Sequence, residues 1–284
     1  MKEIFYILHS KDPRSIELPA VRRWETLEEA IRLFKEYRLD RYFKLCNIPQ
    51  NPLGLPSADT AIPAQYIRKE LNVHIINHLP YRTENITTYI GKLIEYSLAK
   101  IEGLLLISGD IKISDITYSE AARLARSFSK GYIELDDRRI EVERWRFAIG
   151  AGLLPDREKE VNNLLSKVEA GAEFFQTQIT LYAEPLTKLV EKASDKMDGE
   201  IAILVGVIPN KEGIEHIIER IVGRRANSPL ELGQDKYIDY LEGILKKLLE
   251  ISDRISSVNM GIHIYPIRWN NENIESAVDL ISRF

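Results

Sequence analysis

The stretch Lys167-Val168-Glu169-Ala170-Gly171-Ala172-Glu173-Phe174-Phe175-Gln176-Thr177-Gln178 runs from a helix end through a glycine into a strand. Upstream, Leu164, Leu165 and Val168 recur at the spacing that gathers side chains on one helical face. Downstream, Phe174 and Phe175 are apolar on consecutive residues, as in a strand covered on both faces. Gln178 follows, with an amide that both donates and accepts.

The same helix-then-strand unit recurs in both directions from this point. Short apolar runs predict strands at Ile4–His9, Tyr42–Cys46, Val73–Leu79, Gly103–Ile107, Phe147–Gly152, Glu173–Thr177, Ile201–Val207 and Gly261–Ile267. Amphipathic segments between them include Leu27-Ala30-Ile31-Phe34 and Leu241-Ile244-Leu245-Leu248. Strands alternating with helices form parallel β/α units, and eight such units are the number that closes a (β/α)8 TIM barrel. A chain of 284 residues accommodates one such barrel, which takes about 250, so a single domain over 1–284 is expected. Two segments interrupt the rhythm. Gly131–Trp145 predicts a small hairpin, and Arg224–Gln234 an irregular linker before an extra helix and the last strand.

Composition excludes several function classes. The formal net charge of −4 leaves no basic face for counterion-releasing contacts with nucleic acid. The lone cysteine, Cys46, cannot form an intramolecular disulfide, and no metal site is assigned. No apolar run reaches membrane-spanning length, and the first residues lack signal-peptide character. A cytoplasmic protein without membrane or nucleic-acid partners is the expectation. Walker, dinucleotide-fingerprint, zincin and nucleophile-elbow motifs are all missing from the sequence.

In a barrel, the loops after the strands build the site. The third expected strand ends Asn77-His78-Leu79-Pro80-Tyr81-Arg82-Thr83-Glu84-Asn85, and the fourth ends Ser108-Gly109-Asp110. After the second comes Asn47–Pro56, a Pro- and Asn-rich binding loop.

The motifs His-Leu-x-x-Arg-x-x-Asn, Gly-Asp and Lys-Val-x-Ala-Gly-Ala-x-Phe-Phe-x-Thr-Gln, in this order from about Tyr42 to Val207, resemble the methylenetetrahydrofolate reductase family. A weaker echo is Gly261-Ile262-His263-Ile264-Tyr265. The resemblance implies an oxidoreductase of one-carbon metabolism and methionine biosynthesis that acts on CH–NH donors. It would reduce 5,10-methylenetetrahydrofolate, or an analogous methylene-pterin, to the 5-methyl form, with NAD(P)H as reductant and FAD as cofactor. FMN, or direct transfer without flavin, are the alternatives. Matching positions make Asp110 the catalytic residue and a cofactor contact. His78, Gly109, Asn163 and Lys167 are implied as further cofactor contacts, and Gln178 and Tyr265 as substrate contacts.

Two departures stand beside the match. The family's first strand bears a general-acid glutamate followed by prolines, whereas Ile4–Pro13 shows no carboxylate at that place. His9, Tyr6 or Asp12 would then have to donate the proton. The fifth strand continues Gly150-Ala151-Gly152-Leu153-Leu154-Pro155, without the family's usual grip on the flavin nucleotide. A catalytically silent pterin- or flavin-binding barrel, serving as a subunit of a larger redox complex, is therefore the competing expectation. A homo-oligomer is also compatible with the sequence.

Overall fold

Parallel pairing of short buried strands, each followed by a helix that covers its outer face, organises the chain. The structure is a computed structural model and describes residues 2–222 and 227–284. The barrel strands are β1 (Arg14–Glu17), β2 (Leu45–Ile48), β3 (His74–Pro80), β4 (Gly103–Ile107), β7 (Ala148–Leu153), β8 (Phe174–Ile179), β9 (Ile201–Val207) and β10 (Val258–Ile264). Between β4 and β7, β5 (Tyr132–Leu135) and β6 (Arg138–Glu141) form the expected antiparallel hairpin. The ring closes in the order β1-β2-β3-β4-β7-β8-β9-β10, with β10 back on β1 and every neighbour parallel. This is the (β/α)8 barrel expected from the alternation.

The outer layer is α2 (Trp24–Glu36), α3 (Ala61–Leu71), α4 (Ile86–Leu98), α5 (Tyr118–Ser127), α6 (Glu160–Glu169), α7 (Ala183–Ser194), α10 (Gln234–Arg254) and α11 (Asn271–Ile281). The predicted stripes are core: Leu27, Ala30, Ile31 and Phe34 of α2 are buried, as are Leu241, Ile244, Leu245 and Leu248 of α10. Between β9 and β10 lie also α8 (Glu215–Val222) and α9 (Asn227–Leu230). Of the linker expected at 224–234, positions 224–226 fall outside the described residues. Among the described residues, no helix is long and apolar enough to cross a membrane.

The first expected strand is corrected. Residues Lys2–Leu8 form a helix, α1. Its apolar run has a helical period: Ile4 and Leu8, four apart, are buried, while Tyr6 between them is 74% exposed. These two side chains join Leu45, Ile76, Leu105, Ala148, Phe174, Ala202 and Leu204 in a separate apolar cluster inside the barrel. Such burial contributes roughly 1.5–3 kcal/mol per aliphatic side chain. The true first strand is Arg14–Glu17, four residues between Pro13 and Pro19.

Two other strands shift by up to three residues. The second strand begins at Leu45 and extends to Ile48, because a 3-10 turn at Leu39–Arg41 occupies the approach. The last begins at Val258 and stops at Ile264, before Pro266. Neighbouring residues face opposite ways on each strand. Thus Ile75 and Leu79 pack outward among the helices, whereas Ile76 belongs to the inner cluster.

Candidate functional site

Above that inner apolar cluster the barrel lining turns polar. In β1 the sequence alternates Ser15, Ile16, Glu17, and Ile16 packs in the outer core, so Ser15 and Glu17 share the inner face. The Glu17 Oε2 atom lies 3.9 Å from Nε2 of His78 on β3 and 3.9 Å from Nε2 of His263 on β10. Burial raises the Glu17 carboxyl to about 7, partly opposed by His78. Burial also lowers His78 to about 4, although Glu17 pulls it upward, and lowers His263 to about 3. The three groups therefore meet neutral pH with uncharged imidazoles and a carboxyl poised to keep or release its proton.

Hydrogen bonds fix the surrounding side chains. Ser15 Oγ and His263 Nδ1 are 2.7 Å apart, and His263 Nε2 is buried with no hydrogen-bond partner among the described residues. Asn47 of β2 donates from Nδ2 to Gln176 Oε1 at 2.6 Å and to His78 Nε2 at 3.2 Å. The amide can only donate there, so Nε2 of His78 is the acceptor, in keeping with a neutral ring. Gln176 Nε2 donates to the Tyr265 hydroxyl at 3.0 Å, and that hydroxyl donates to the Thr177 carbonyl at 2.9 Å. The Tyr265 ring meets the His263 ring edge-on, with centroids 4.3 Å apart. Trp269 Nε1 donates to the Glu17 carbonyl at 3.1 Å, tying the loop after β10 to the end of β1.

Of these groups, Glu17, His78, Gln176, Thr177, Tyr265 and Trp269 border a cavity of ≈ 940 Å³ at the C-terminal ends of the strands. Its walls include Glu17, His78, Gln176, Gln178 and Tyr265, and, on the β7–α6 side, Gly152, Arg157, Asn163 and Lys167. Buried Glu160 organises that side: it accepts from the Leu154 amide at 3.0 Å and from Asn163 Nδ2 at 3.0 Å. Lys167 Nζ donates to the Gly152 carbonyl at 2.8 Å and lies 3.9 Å from Glu160. Desolvation lowers its pKa, against the pull of Glu160. A second concavity, ≈ 990 Å³, lies around Glu3, Tyr6, His74 and Glu102 at the opposite end of the barrel. Its greater volume does not make it the site, because the converging inward polar groups are at the other mouth.

The sequence-derived residues thus divide. His78, Asn163, Lys167, Gln178 and Tyr265 border one cavity. Gly109 and Asp110 belong to the rim loop after β4. Gly109 has φ +81°, and a Cβ there would lie 2.8 Å from Thr83 Cγ2, so the turn requires glycine. Asp110 is exposed, and its Oδ2 accepts from the Gly54 amide at 3.1 Å, bracing the loop after β2. Asn85, the last residue of the His-Leu-x-x-Arg-x-x-Asn motif, caps α4 by accepting from the Thr88 amide.

Sequence reasoning missed Glu17, His263, Asn47 and Gln176 as site residues. The missing-glutamate reading is overturned: with β1 at Arg14–Glu17, a carboxylate does stand at the end of the first strand, followed by Leu18-Pro19. The available signal was the polar-apolar-polar alternation Ser15-Ile16-Glu17 just before a proline. His9 and Asp12, by contrast, belong to the connection between α1 and β1.

Comparison with known proteins gives a consistent result. The family model for methylenetetrahydrofolate reductase matches residues 24–223. A solved structure described as an uncharacterized protein from Clostridium thermocellum that binds two copies of 5-methyl-5,6,7,8-tetrahydrofolic acid superposes with a TM-score of 0.74. It is 12% identical, and the match covers 99% of this chain and 98% of that one. No curated protein sequence matches.

Proposed function

Because the chain belongs to the methylenetetrahydrofolate reductase family, we propose that it reduces a methylene-tetrahydropterin, 5,10-methylenetetrahydrofolate or a close analogue, to the 5-methyl form. The observation that carries this reading is Glu17: a carboxyl at the inner end of β1, bordering the cavity, with its pKa raised to about 7 by burial. Opening the five-membered ring requires a proton on the departing nitrogen. A carboxylic acid that is still substantially protonated near neutrality can deliver it.

Around that acid, the chain holds a pterin by complementary amides and hydroxyls. Gln176 and Tyr265 are fixed to each other, and Gln178 projects from the next inward position of β8. Neutral His78 and His263 offer no cationic partner that would strip the proton from Glu17. Asp110 stands at the rim, where its negative charge would favour cationic character in the substrate.

The residues on the β7–α6 side fit a flavin. Gly152 lines the cavity, a Cβ there would meet nothing within 4 Å, the ammonium of Lys167 donates to its carbonyl, and Asn163 borders the same cavity. Asn163, Lys167 and His78 would hold the group, and Arg157 adds a second cation for its phosphates. When bound, FAD reduced by NAD(P)H would supply the hydride chemistry. A folate as the other ligand is supported by the structural neighbour, whose described ligand is 5-methyl-5,6,7,8-tetrahydrofolic acid.

The test is a spectrum of the purified protein, taken before and after flavin addition and followed by assay with each nicotinamide and methylenetetrahydrofolate. A flavin band that bleaches with the nicotinamide and recovers on adding substrate is the expected result. Pterin binding without turnover under any of these conditions would instead establish the silent binding barrel.

A further inference from the structure

A backbone carbonyl can only accept a hydrogen bond, and in the polar layer of the barrel one carbonyl fixes the direction of every bond that follows it. The Thr177 carbonyl takes the hydrogen of the Tyr265 hydroxyl at 2.9 Å. That hydroxyl must then accept from Gln176, whose Nε2 lies 3.0 Å away. With its nitrogen turned to Tyr265, Gln176 presents Oε1 to Asn47, which donates from Nδ2 at 2.6 Å. The second hydrogen of the same Nδ2 goes to His78 Nε2 at 3.2 Å. Thr177, Tyr265, Gln176, Asn47 and His78 thus form one chain, polarised from its far end.

Asn47 bears a cost for its place in that chain. It is fully buried, and its Oδ1 has no hydrogen-bond partner among the described residues. Turning the amide over gives no relief, because Oδ1 would then meet Gln176 Oε1, acceptor against acceptor. Two residues earlier on the same inward face, Leu45 joins the apolar cluster and leaves nothing unpaired. A buried amide kept with an orphan oxygen calls for a reason, and the reason lies in what its nitrogen does.

The nitrogen chooses the tautomer of His78. A neutral imidazole that accepts at Nε2 carries its proton on Nδ1. Nδ1 makes no hydrogen bond among the described residues, and the ring borders the cavity, so Nδ1 is the nitrogen left for a ligand. The same arrangement denies Glu17 a donor: its Oε2 lies 3.9 Å from His78 Nε2, which offers a lone pair and no hydrogen. Of the other titratable groups at hand, His263 on β10 is neutral near pH 7 and Tyr265 keeps its hydroxyl proton, so neither adds a charge.

We propose that Asn47 is a positioning residue that holds His78 as its Nδ1–H tautomer. The cavity thereby offers a hydrogen-bond donor to a carbonyl oxygen or an unprotonated ring nitrogen of the bound ligand, and the Glu17 carboxylate is left without a stabilising donor. The role toward Glu17 rests on the reaction proposed above; the tautomer does not.

The experiment is a nitrogen–proton correlation spectrum of the ligand-free protein carrying isotope-labelled histidine, with His78→Gln to assign the signals. The wild type should show His78 protonated at Nδ1 and bare at Nε2. Asn47→Asp, which keeps the shape but replaces the donor with an acceptor, should place a proton on Nε2. Tyr265→Phe, which removes the anchor of the chain and no hydrogen bond to His78, should populate both tautomers. In turnover, Asn47→Leu should move the alkaline limb of the pH profile down by about one pH unit, because a freed Nε2–H then stabilises the Glu17 carboxylate. A bare Nδ1 in the wild type, or a tautomer that stays fixed in both Asn47→Asp and Tyr265→Phe, would overturn the assignment. Expected spectra with an unmoved limb would overturn the role toward Glu17. Expected spectra from a protein that turns over no methylene-tetrahydropterin would strike the proposed reaction and leave the tautomer standing.

Discussion

The carboxyl of Glu17 lies 3.9 Å from Nε2 of His263, a buried nitrogen with no hydrogen-bond partner among the described residues. An acid placed against an uncharged imidazole gains no ion pair from it. Desolvation therefore governs the carboxyl and pushes its pKa to about 7. This relationship sets the pH at which the proposed proton donor works.

Turnover should accordingly fall as pH rises through about 7, where Glu17 loses its proton. Glu17→Gln should lower the rate by about 10²–10⁴, the usual contribution of general acid catalysis, and abolish that limb of the profile. Rate–pH curves of the two proteins check both statements. A limb that persists in Glu17→Gln would assign the titration to another group.

The same substitution should stabilise the fold at alkaline pH. Glu17 holds its proton more tightly folded than unfolded, so its favourable contribution is complete below about 4.5 and is lost as pH climbs through about 7. Glutamine carries no such loss. Urea unfolding at pH 8 should show Glu17→Gln more stable by about 2–3 kcal/mol, with the difference shrinking toward zero near pH 4.

At the other side of the site, Gly206 of β9 faces Tyr265: a Cβ at this position would lie 2.5 Å from Tyr265 Cε2 and 2.7 Å from the Thr177 carbonyl. Gly206→Ala should push the ring off its bonds to Gln176 and Thr177. The expected cost is about 1–3 kcal/mol of stability, the range for overpacking, together with weaker pterin binding. Thermal unfolding and pterin titration of one sample measure the two effects side by side.

Leu8→Ala probes the helix that replaced the expected first strand. A fully buried leucine truncated in an apolar cluster costs about 2–5 kcal/mol. If residues 4–9 instead formed a barrel strand, Ile7 would share the pairing, and Ile7→Ala would be as damaging as Leu8→Ala. Here Ile7 is only half-buried, so its truncation should be much milder.

Most of the barrel was legible because its strands are continuous apolar runs bounded by helices with clear stripes. The run Ile201–Val207, buried at every position, is the plainest case. Arg14–Glu17 was not legible, because a four-residue strand with polar residues inward lacks that signature while Ile4–Leu8 has the right composition and the wrong period. In the candidate site, locally spaced motif residues do converge: His78, Asn163, Lys167 and Gln178 border one cavity. Pairings across the barrel, such as Asn47 with Gln176 or Ser15 with His263, are 129 and 248 residues apart and leave no local trace. Asp110 shows the converse: spacing located it, but its hydrogen bond to Gly54 became visible only in the fold.

The apolar cluster that Ile4 and Leu8 complete lies beneath Glu17, so the acid exchanges protons through the mouth above it. On the proposed reaction, a ligand seated in that mouth would cover the route by which the spent carboxylate is recharged. Each catalytic cycle would then draw its replacement proton from solvent only after the methylated product departs, making proton uptake a step of ligand exchange and not of chemistry.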